Sequence, residues 1–378
     1  MSVHFNFLRR KIAYRLHSWL KTIKSLKNTP KDANVLLVTF RHELPETQLY
    51  AFHFYRHILE KKHGIKFVQV FVDNLVLPNA DIFHGTDKFS NIKRIFFQPA
   101  FEMSPELVVQ ALKRLSNTYP NAKIAFMDWY APLHIRPSVY VDPYIDIYIK
   151  KQTYVDFSQY SVPTLGDTNL SNFYALRHNL QEAEQIFTPP ANFEKKIQLG
   201  NNFGLSPQMV DLFMSNPPEI EGRDIDVHAR IAVNGVPWYK AMRQEAKDAV
   251  KNIANKSITI ASEGRVKRRK FFVEMQRSKI CFSPFGYGEI CWRDYEAYAT
   301  GALLLKPDMS HLKVWPDVFV PYETYIPLKW DLSDFEEKVT KYLADDVARE
   351  RITNNAFCAM KKWISSSERA IEIAALCK

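Results

Sequence analysis

The chain has 378 residues, 46% hydrophobic and 24% charged, with a formal net charge of +10. Length and balance are those of a globular protein with room for two cores, and the charge favours anionic partners without choosing among nucleotides, phosphates, acidic lipids and nucleic acid. No run of 18 apolar residues and no signal-like start is present, so neither a membrane-spanning helix nor secretion is expected. The four cysteines, Cys281, Cys291, Cys358 and Cys377, lack zinc-ligand spacing and read as free thiols of a reducing compartment, hence a cytoplasmic protein.

Residues 1–32 form the first element. Phe5, Leu8, Ile12, Leu16, Trp19, Ile23 and Leu26 recur at helical spacing, with Arg9, Arg10, Arg15, Lys21, Lys24 and Lys27 mostly between them. Such a basic amphipathic helix either packs on the protein's own body or lies peripherally in an anionic membrane surface.

From residue 33 strands and helices alternate. "NVLLVTF" is a buried strand, and "PETQLYAFHFYRHILEKKHG" a helix closing at Gly64. "IKFVQVFVD" is a second strand, with short candidates at "ADIFHG" and "IKRIFFQ". Ser104 and Pro105 give "SPELVVQALKRLSNTYP" an N-cap and a first helical position. "AKIAFMDW" and "YIDIYIKK" are further strands. Over 158–222 the pattern blurs: "QEAEQIF" reads as helical, and prolines mark a connection near "SNPPEIEGR".

The alternation resumes with the strand "RDIDVHARIA", the helix "VPWYKAMRQEAKDAVKNIAN", the strand "SITIAS", the helix "KRRKFFVEMQRS" and the strand "KICFSPF". Then come a helix over "GEICWRDYEAYATG", the strand "ALLLKP", a helical or looped "DMSHLKVW", "DVFVPY", and a helix with a capping box of Ser333 and Glu336. The last stretch is almost continuously helical. The organisation expected is an α/β protein of two Rossmann-like units facing a cleft, 33–218 and 219–345, with the basic helix 1–32 before them and a helical segment 346–378 after.

Candidate site residues cluster where strands end, because ligands of open α/β sheets bind there. In "SPFGYGEICWRDYEAYATG" a strand runs into a glycine loop and a helix. Gly286 and Gly288 let the backbone approach a ligand. Glu289, Arg293 and Glu296, at i, i+4 and i+7, share a face if the helix starts at Glu289. Buried charges at such spacing are costly unless used. A guanidinium beside a diphosphate and a carboxylate on a ribose would use them; a surface salt-bridge stripe is the structural alternative. Arg230 lies inside an apolar strand end, whereas Arg243 reads as solvated. From the basic run 265–270, Lys267 is the residue that reaches for phosphates, and without interleaved aromatics the run does not predict a nucleic-acid groove. In the first unit Asp128 ends a strand beside Trp129 and Tyr130, and fits either a general base or a loop cap. His42 with Glu43, and His84, occupy the other natural places for a base. There is no phosphate-binding Gly-Lys-Ser loop and no dinucleotide fingerprint, which removes the main support for kinase and dehydrogenase readings.

Over 279–332 the sequence resembles the C-terminal domain of GT-B glycosyltransferases, most closely the exostosin type, through Ser283, Pro284, Gly286, Arg293, Glu296, Ala297, Gly301 and "ALLLKP". The resemblance implies a metal-independent enzyme whose first unit takes a glycan or lipid-linked acceptor and whose second binds a nucleotide sugar, with Glu296 on the ribose and Arg293 near the phosphates. Ser283, Gly286, Tyr287, Gly288, Glu289, Arg230 and Lys267 join them as donor-site residues, and Asp128 or His42 supplies the base. Retaining GT-B enzymes often carry two glutamates eight apart here; Glu289 and Glu296 are seven apart, so inversion is expected. A non-catalytic module binding a glycan or an anionic surface on the same fold is the alternative.

Overall fold

The computed structural model of the protein describes residues 32–40, 43–72, 89–101, 103–219 and 221–378; the amphipathic segment 1–31, His42 and His84 lie outside them. The first unit runs β1 (Val35–Phe40), α1 (Glu43–Phe54), α2 (Arg56–His63), β2 (Phe67–Val72), β3 (Arg94–Phe97), α3 (Pro105–Thr118), β4 (Lys123–Asp128) and β5 (Ile147–Lys150). An excursion follows: β6 (Gln152–Tyr154), then the antiparallel pair β7 (Thr164–Leu165) and β8 (Glu184–Gln185) enclosing α4 (Asn169–Arg177). β9 (Ile197–Leu199) and α5 (Pro207–Phe213) complete the unit. The second comprises β10 (Ile225–His228), α6 (Pro237–Lys251), β11 (Ile260–Ala261), α7 (Arg268–Gln276), β12 (Ser278–Phe282), α8 (Trp292–Thr300), β13 (Leu303–Pro307), β14 (Leu312–Val314), β15 (Ile326–Leu328) and α9 (Phe335–Ala344). Helices α10 (Asp346–Ser365) and α11 (Glu368–Leu376) end the chain.

The strands form two parallel sheets, ordered β2-β1-β3-β4-β5-β9 and β11-β10-β12-β13-β15. Each is a Rossmann-like arrangement whose strand order reverses once, between β1 and β3 and between β10 and β12, which opens a crevice at the strand carboxyl ends. Successive residues of each strand serve different layers, as period-two side-chain alternation requires. Leu36 and Val38 of β1 pack with α3 residues Val108 and Leu112 in an outer core of the first unit. Ile280, Phe282, Leu303 and Leu305 form the outer core of the second with Val339. The alternate residues Val35, Leu37, Cys281 and Leu304 face a third core, shared by both units and by Phe357 and Ile373 of the C-terminal helices. Among the described residues no helix is long and apolar enough to cross a membrane.

Local signals account for the boundaries. Ser104 Oγ accepts the Leu107 N–H at 3.4 Å, and Gly64 closes α2 in the left-handed region at φ 65°. The long first helix is broken at Tyr55, whose hydroxyl donates to the Ile364 carbonyl at 2.8 Å. Five expectations need correction. The segment "QEAEQIF" holds β8 instead of a helix, because its backbone pairs with β7. "DMSHLKVW", expected to be helical or looped, contains β14. Ser333 and Glu336 make no capping box: Asp334 is the N-cap of α9, and Glu336 accepts the Ala254 N–H at 2.7 Å. The helix after the glycine loop begins at Trp292, three residues later than expected. Arg243 is buried, not solvated.

The two units are clamped together at their strand carboxyl ends. β14 of the second pairs antiparallel with β6 of the first, Lys313 opposite Thr153. On α4, Arg177 Nε donates to Glu245 at 2.7 Å and Tyr174 donates its hydroxyl proton to the Trp330 carbonyl at 3.2 Å. The connection before β10 is pinned by buried Arg223, which donates to the carbonyls of Ser278 (2.6 Å), Glu219 (2.7 Å) and Thr300 (2.7 Å). Gly288 lies so close to the Ala131 carbonyl that a β-carbon there would collide with it. Gly288→Ala is therefore expected to cost about 1–3 kcal/mol, the range for overpacking a close-packed interior, measured as a lower urea midpoint at unchanged slope.

Candidate active site

The site is organised by a residue the sequence reading passed over, Asp294. It occupies the third position of α8 and is fully buried. Ser283 Oγ donates to its Oδ1 at 2.6 Å, the Cys291 N–H donates to Oδ2 at 2.7 Å, and Lys306 Nζ of β13 lies 3.1 Å from Oδ2. One carboxylate thus ties together the end of β12, the start of α8 and the neighbouring strand. Ser283, expected at the donor, is engaged with this carboxylate. Between these anchors the loop turns back on itself, the Gly286 N–H donating to the Gly288 carbonyl at 2.9 Å. The available signal was an aspartate three residues past an N-cap, in a helix otherwise too apolar to carry one.

Two guanidiniums straddle the crevice between the loops after β10 and β12. Arg293 Nη2 donates to the Arg230 carbonyl at 2.6 Å and its Nη1 to the Phe282 carbonyl at 3.3 Å. Arg243 Nη1 donates to the Phe285 carbonyl at 3.1 Å and its Nε to the Ala232 carbonyl at 3.2 Å. Neither forms an ion pair among the described residues. Arg230 differs. β10 ends at His228, and the Arg230 side chain forks onto Glu274, Nε to Oε2 at 2.5 Å and Nη2 to Oε1 at 2.8 Å. Burial, with Arg293 nearby, pushes the His228 imidazole down to about 4, so it is neutral near pH 7.

Glu296, one turn beyond Arg293, makes no side-chain hydrogen bond among the described residues and sits 3.8 Å from Arg268. Burial pushes its carboxyl above the usual carboxylate range, against the opposing pull of Arg268 and Arg293. Tyr287 is 43% exposed and stacks on Tyr239 with ring centroids 4.2 Å apart. Lys267 caps α7 at the surface.

Glu289 belongs to a different structure. It precedes α8, so it shares no helix face with Arg293 and Glu296. Its buried carboxylate faces the first unit: Gln152 Nε2 donates to Oε2 at 2.7 Å, Asn169 Nδ2 to Oε1 at 3.0 Å, and His311 Nε2 lies 3.4 Å from Oε1. Gly288 likewise accommodates protein backbone. Of the expected donor residues, Arg293 and Glu296 line the crevice with Gly286 and Tyr287 on the adjoining loop, while Ser283, Gly288, Glu289 and Arg230 hold the surrounding protein.

In the first unit Asp128 is sealed beneath the strand ends. Tyr148 donates its hydroxyl proton to Oδ2 at 2.5 Å, Lys150 Nζ lies 2.7 Å from the same oxygen, and the Tyr130 N–H donates to Oδ1 at 3.0 Å. Fully buried and held by three donors, it has no open face toward a cleft, which overturns its expected position as a base. Beside it Lys151 is buried over the Phe203 ring at 4.7 Å. Burial, reinforced by Lys150, pulls its ammonium down to about 7.

The sequence matches no protein-family model and no curated protein sequence at a significant level. Solved structures are similar to it, one of them closely enough to share the fold. A glycosyltransferase from Rickettsia africae ESF-5 superposes with a TM-score of 0.53 at 11% identity, over 92% of this chain and 98% of that one. Sucrose-phosphate synthase from Thermosynechococcus elongatus gives 0.49 at 11% identity, over 91% and 98%. At 11% identity the likeness to the first of these is one of fold.

Asp128→Asn is expected to act on stability first, by about 3–5 kcal/mol, because it strands the Lys150 charge in the interior; chemical denaturation of the variant measures this. Lys151 gives a pH signature. Its folded pKa lies below its unfolded value, so between about 7 and about 10.4 the unfolded state binds more protons, and stability rises with pH across that window. Lys151→Met removes this contribution, and the difference in melting temperature between variant and wild type should shrink from pH 7 to pH 9.

Proposed function

We propose that the protein is a GT-B glycosyltransferase that moves a sugar from a nucleotide-sugar donor to a glycan or lipid-linked acceptor, in the synthesis of a cell-surface polysaccharide or glycoconjugate. The observation that carries this reading is the pair Arg243 and Arg293, two guanidiniums that form no ion pair among the described residues and are fixed by backbone carbonyls at the switch point of the second sheet. When the bond from sugar to diphosphate breaks, negative charge builds on the leaving oxygen, and positive groups already held in place stabilise it without reorganising. Glu296, one helical turn away and without a side-chain hydrogen bond among the described residues, would take a ribose hydroxyl. Tyr287 offers an exposed ring at the same mouth.

Transfer is direct and inverting in this proposal, with a base from the first unit taking the acceptor proton. With Asp128 sealed, that role passes to His42, which follows β1. No metal enters the proposal. The protein works on the cytoplasmic face of a membrane, held by its basic amphipathic segment 1–32. Deleting that segment should abolish co-sedimentation with vesicles containing phosphatidylserine while donor binding persists.

The test is a panel of uridine, guanosine and thymidine diphosphate sugars, scored for binding and for slow hydrolysis by the purified protein. One donor class should bind and turn over. Arg293→Ala and Glu296→Gln should each weaken its affinity by about 1.5–3 kcal/mol, one charge-assisted hydrogen bond, with melting temperature retained. His42→Ala should bind the donor and lose turnover. Binding without turnover, whatever acceptor is supplied, would make the chain a non-catalytic binding module.

A further inference from the structure

The excursion after β5 builds a pocket that the reaction above does not use. Its volume is about 650 Å³, and its walls include Tyr154, Gln159, Asn169, Asn172 and Phe173 of the first unit and Trp330 of the second. We infer that this pocket is a glycan-binding subsite that holds an uncharged sugar residue beside the strand-end crevice.

The chemistry of the walls argues for this ligand. A pyranose carries apolar C–H faces and a rim of hydroxyls, so it suits aromatic faces flanked by amides that both donate and accept. The pocket offers three aromatic rings with Gln159, Asn169 and Asn172 around them. Its size falls within the usual range for small-molecule sites, about 300–1,000 Å³. Among the described residues no carboxylate lines it, and the one cation on its wall, Arg177, is already paired with Glu245 at 2.6 Å. An ionic ligand would therefore meet no free counter-charge.

The aromatic wall is also held in place. Trp330 donates its indole N–H to the Asp308 carbonyl at 2.9 Å, and its ring meets Phe173 and Phe285 edge-on at 5.2 and 5.3 Å. Phe285 belongs to the glycine loop, and Asn169, on the pocket wall, donates to Glu289 of the same loop. One wall thus adjoins the candidate donor loop, and a sugar seated here lies alongside the crevice. The choice of a saccharide rests on the glycosyl-transfer reading; the composition of the pocket does not.

Saturation-transfer NMR on the full chain without nucleotide tests the inference. The probes are the methyl β-glycosides of glucose, galactose and N-acetylglucosamine. Transfer to the ring protons of at least one is expected, with a fivefold or greater loss in Trp330→Ala. Leu176→Arg, at a pocket-lining position that is 61% exposed, should give the same loss without disturbing the fold. Transfer to none of the three, or undiminished transfer in Leu176→Arg, overturns the subsite. Failure here together with turnover of a nucleotide sugar removes the subsite alone. Sugar binding at this pocket without turnover leaves it standing and removes the transferase.

Discussion

The structure hangs on one buried carboxylate, that of Glu289. A carboxylate removed from water is costly unless donors surround it. Here the donors are the neutral amides of Gln152 and Asn169, with His311 beside one oxygen. Both amides belong to the first unit and the carboxylate to the second, so Glu289 is satisfied only when the units are docked. The neighbouring features follow from that docking. Gly288 has no side chain because the Ala131 carbonyl occupies the space. β14 lies against β6, and α4 reaches across to Glu245 and Trp330.

Docking fixes the loop, and the loop fixes the electrostatics of the crevice. Arg243 and Arg293 donate to backbone carbonyls, which orient a guanidinium without neutralising it. Arg230, a few residues away, forks onto Glu274 and loses its net charge to that pair. The difference separates an arginine paired with a carboxylate from two that are held by backbone carbonyls alone among the described residues, and nothing in sequence spacing distinguishes them. Beneath both, Asp294 and Lys306 form a buried pair that braces α8 against β13. Such a pair contributes little net stability; its effect here is to set where the helix begins, and so where Arg293 and Glu296 point.

That boundary marks the limit of what the sequence made legible. Strands buried on both faces announce themselves as apolar runs, and β1, β4, β12 and β13 were readable for that reason. Ser104 and Gly64 marked helix ends because their conformational preferences are local. The excursion was opaque because its elements are two or three residues long and are defined by partners elsewhere: β6 exists through β14, and β8 through β7. The shared helical face assigned to Glu289, Arg293 and Glu296 failed because Cys291, a residue with no strong capping preference, caps α8 with help from Asp294. Asp128 at a strand end looked identical to an exposed base, and only the arrival of Tyr148 and Lys150 from the adjacent strand revealed a sealed ion pair. Arg293 and Glu296 were legible as candidates because charges on an apolar helix after a glycine loop are costly to bury unless a ligand meets them.

The C-terminal helices close the same constraint from the opposite side. α10 and α11 pass from the second unit back to the first, where the Ile364 carbonyl accepts the Tyr55 hydroxyl and Phe357 meets Phe213 with centroids 5.6 Å apart. The core they cover is continuous between the units, with Leu37 and Met127 on one side and Tyr295 and Leu304 on the other. The units are therefore joined through a common interior as well as at the strand ends. A crevice bounded in this way holds its charges in position, which in the proposed transfer would favour stabilising developing charge over capturing a ligand by rearrangement. The excursion adds a second, uncharged surface next to the charged one. In the proposed function, anion recognition and sugar recognition rest on different residues that meet at Asn169 and Glu289, so a change at Asn169 would disturb both the pocket wall and the docking of the units.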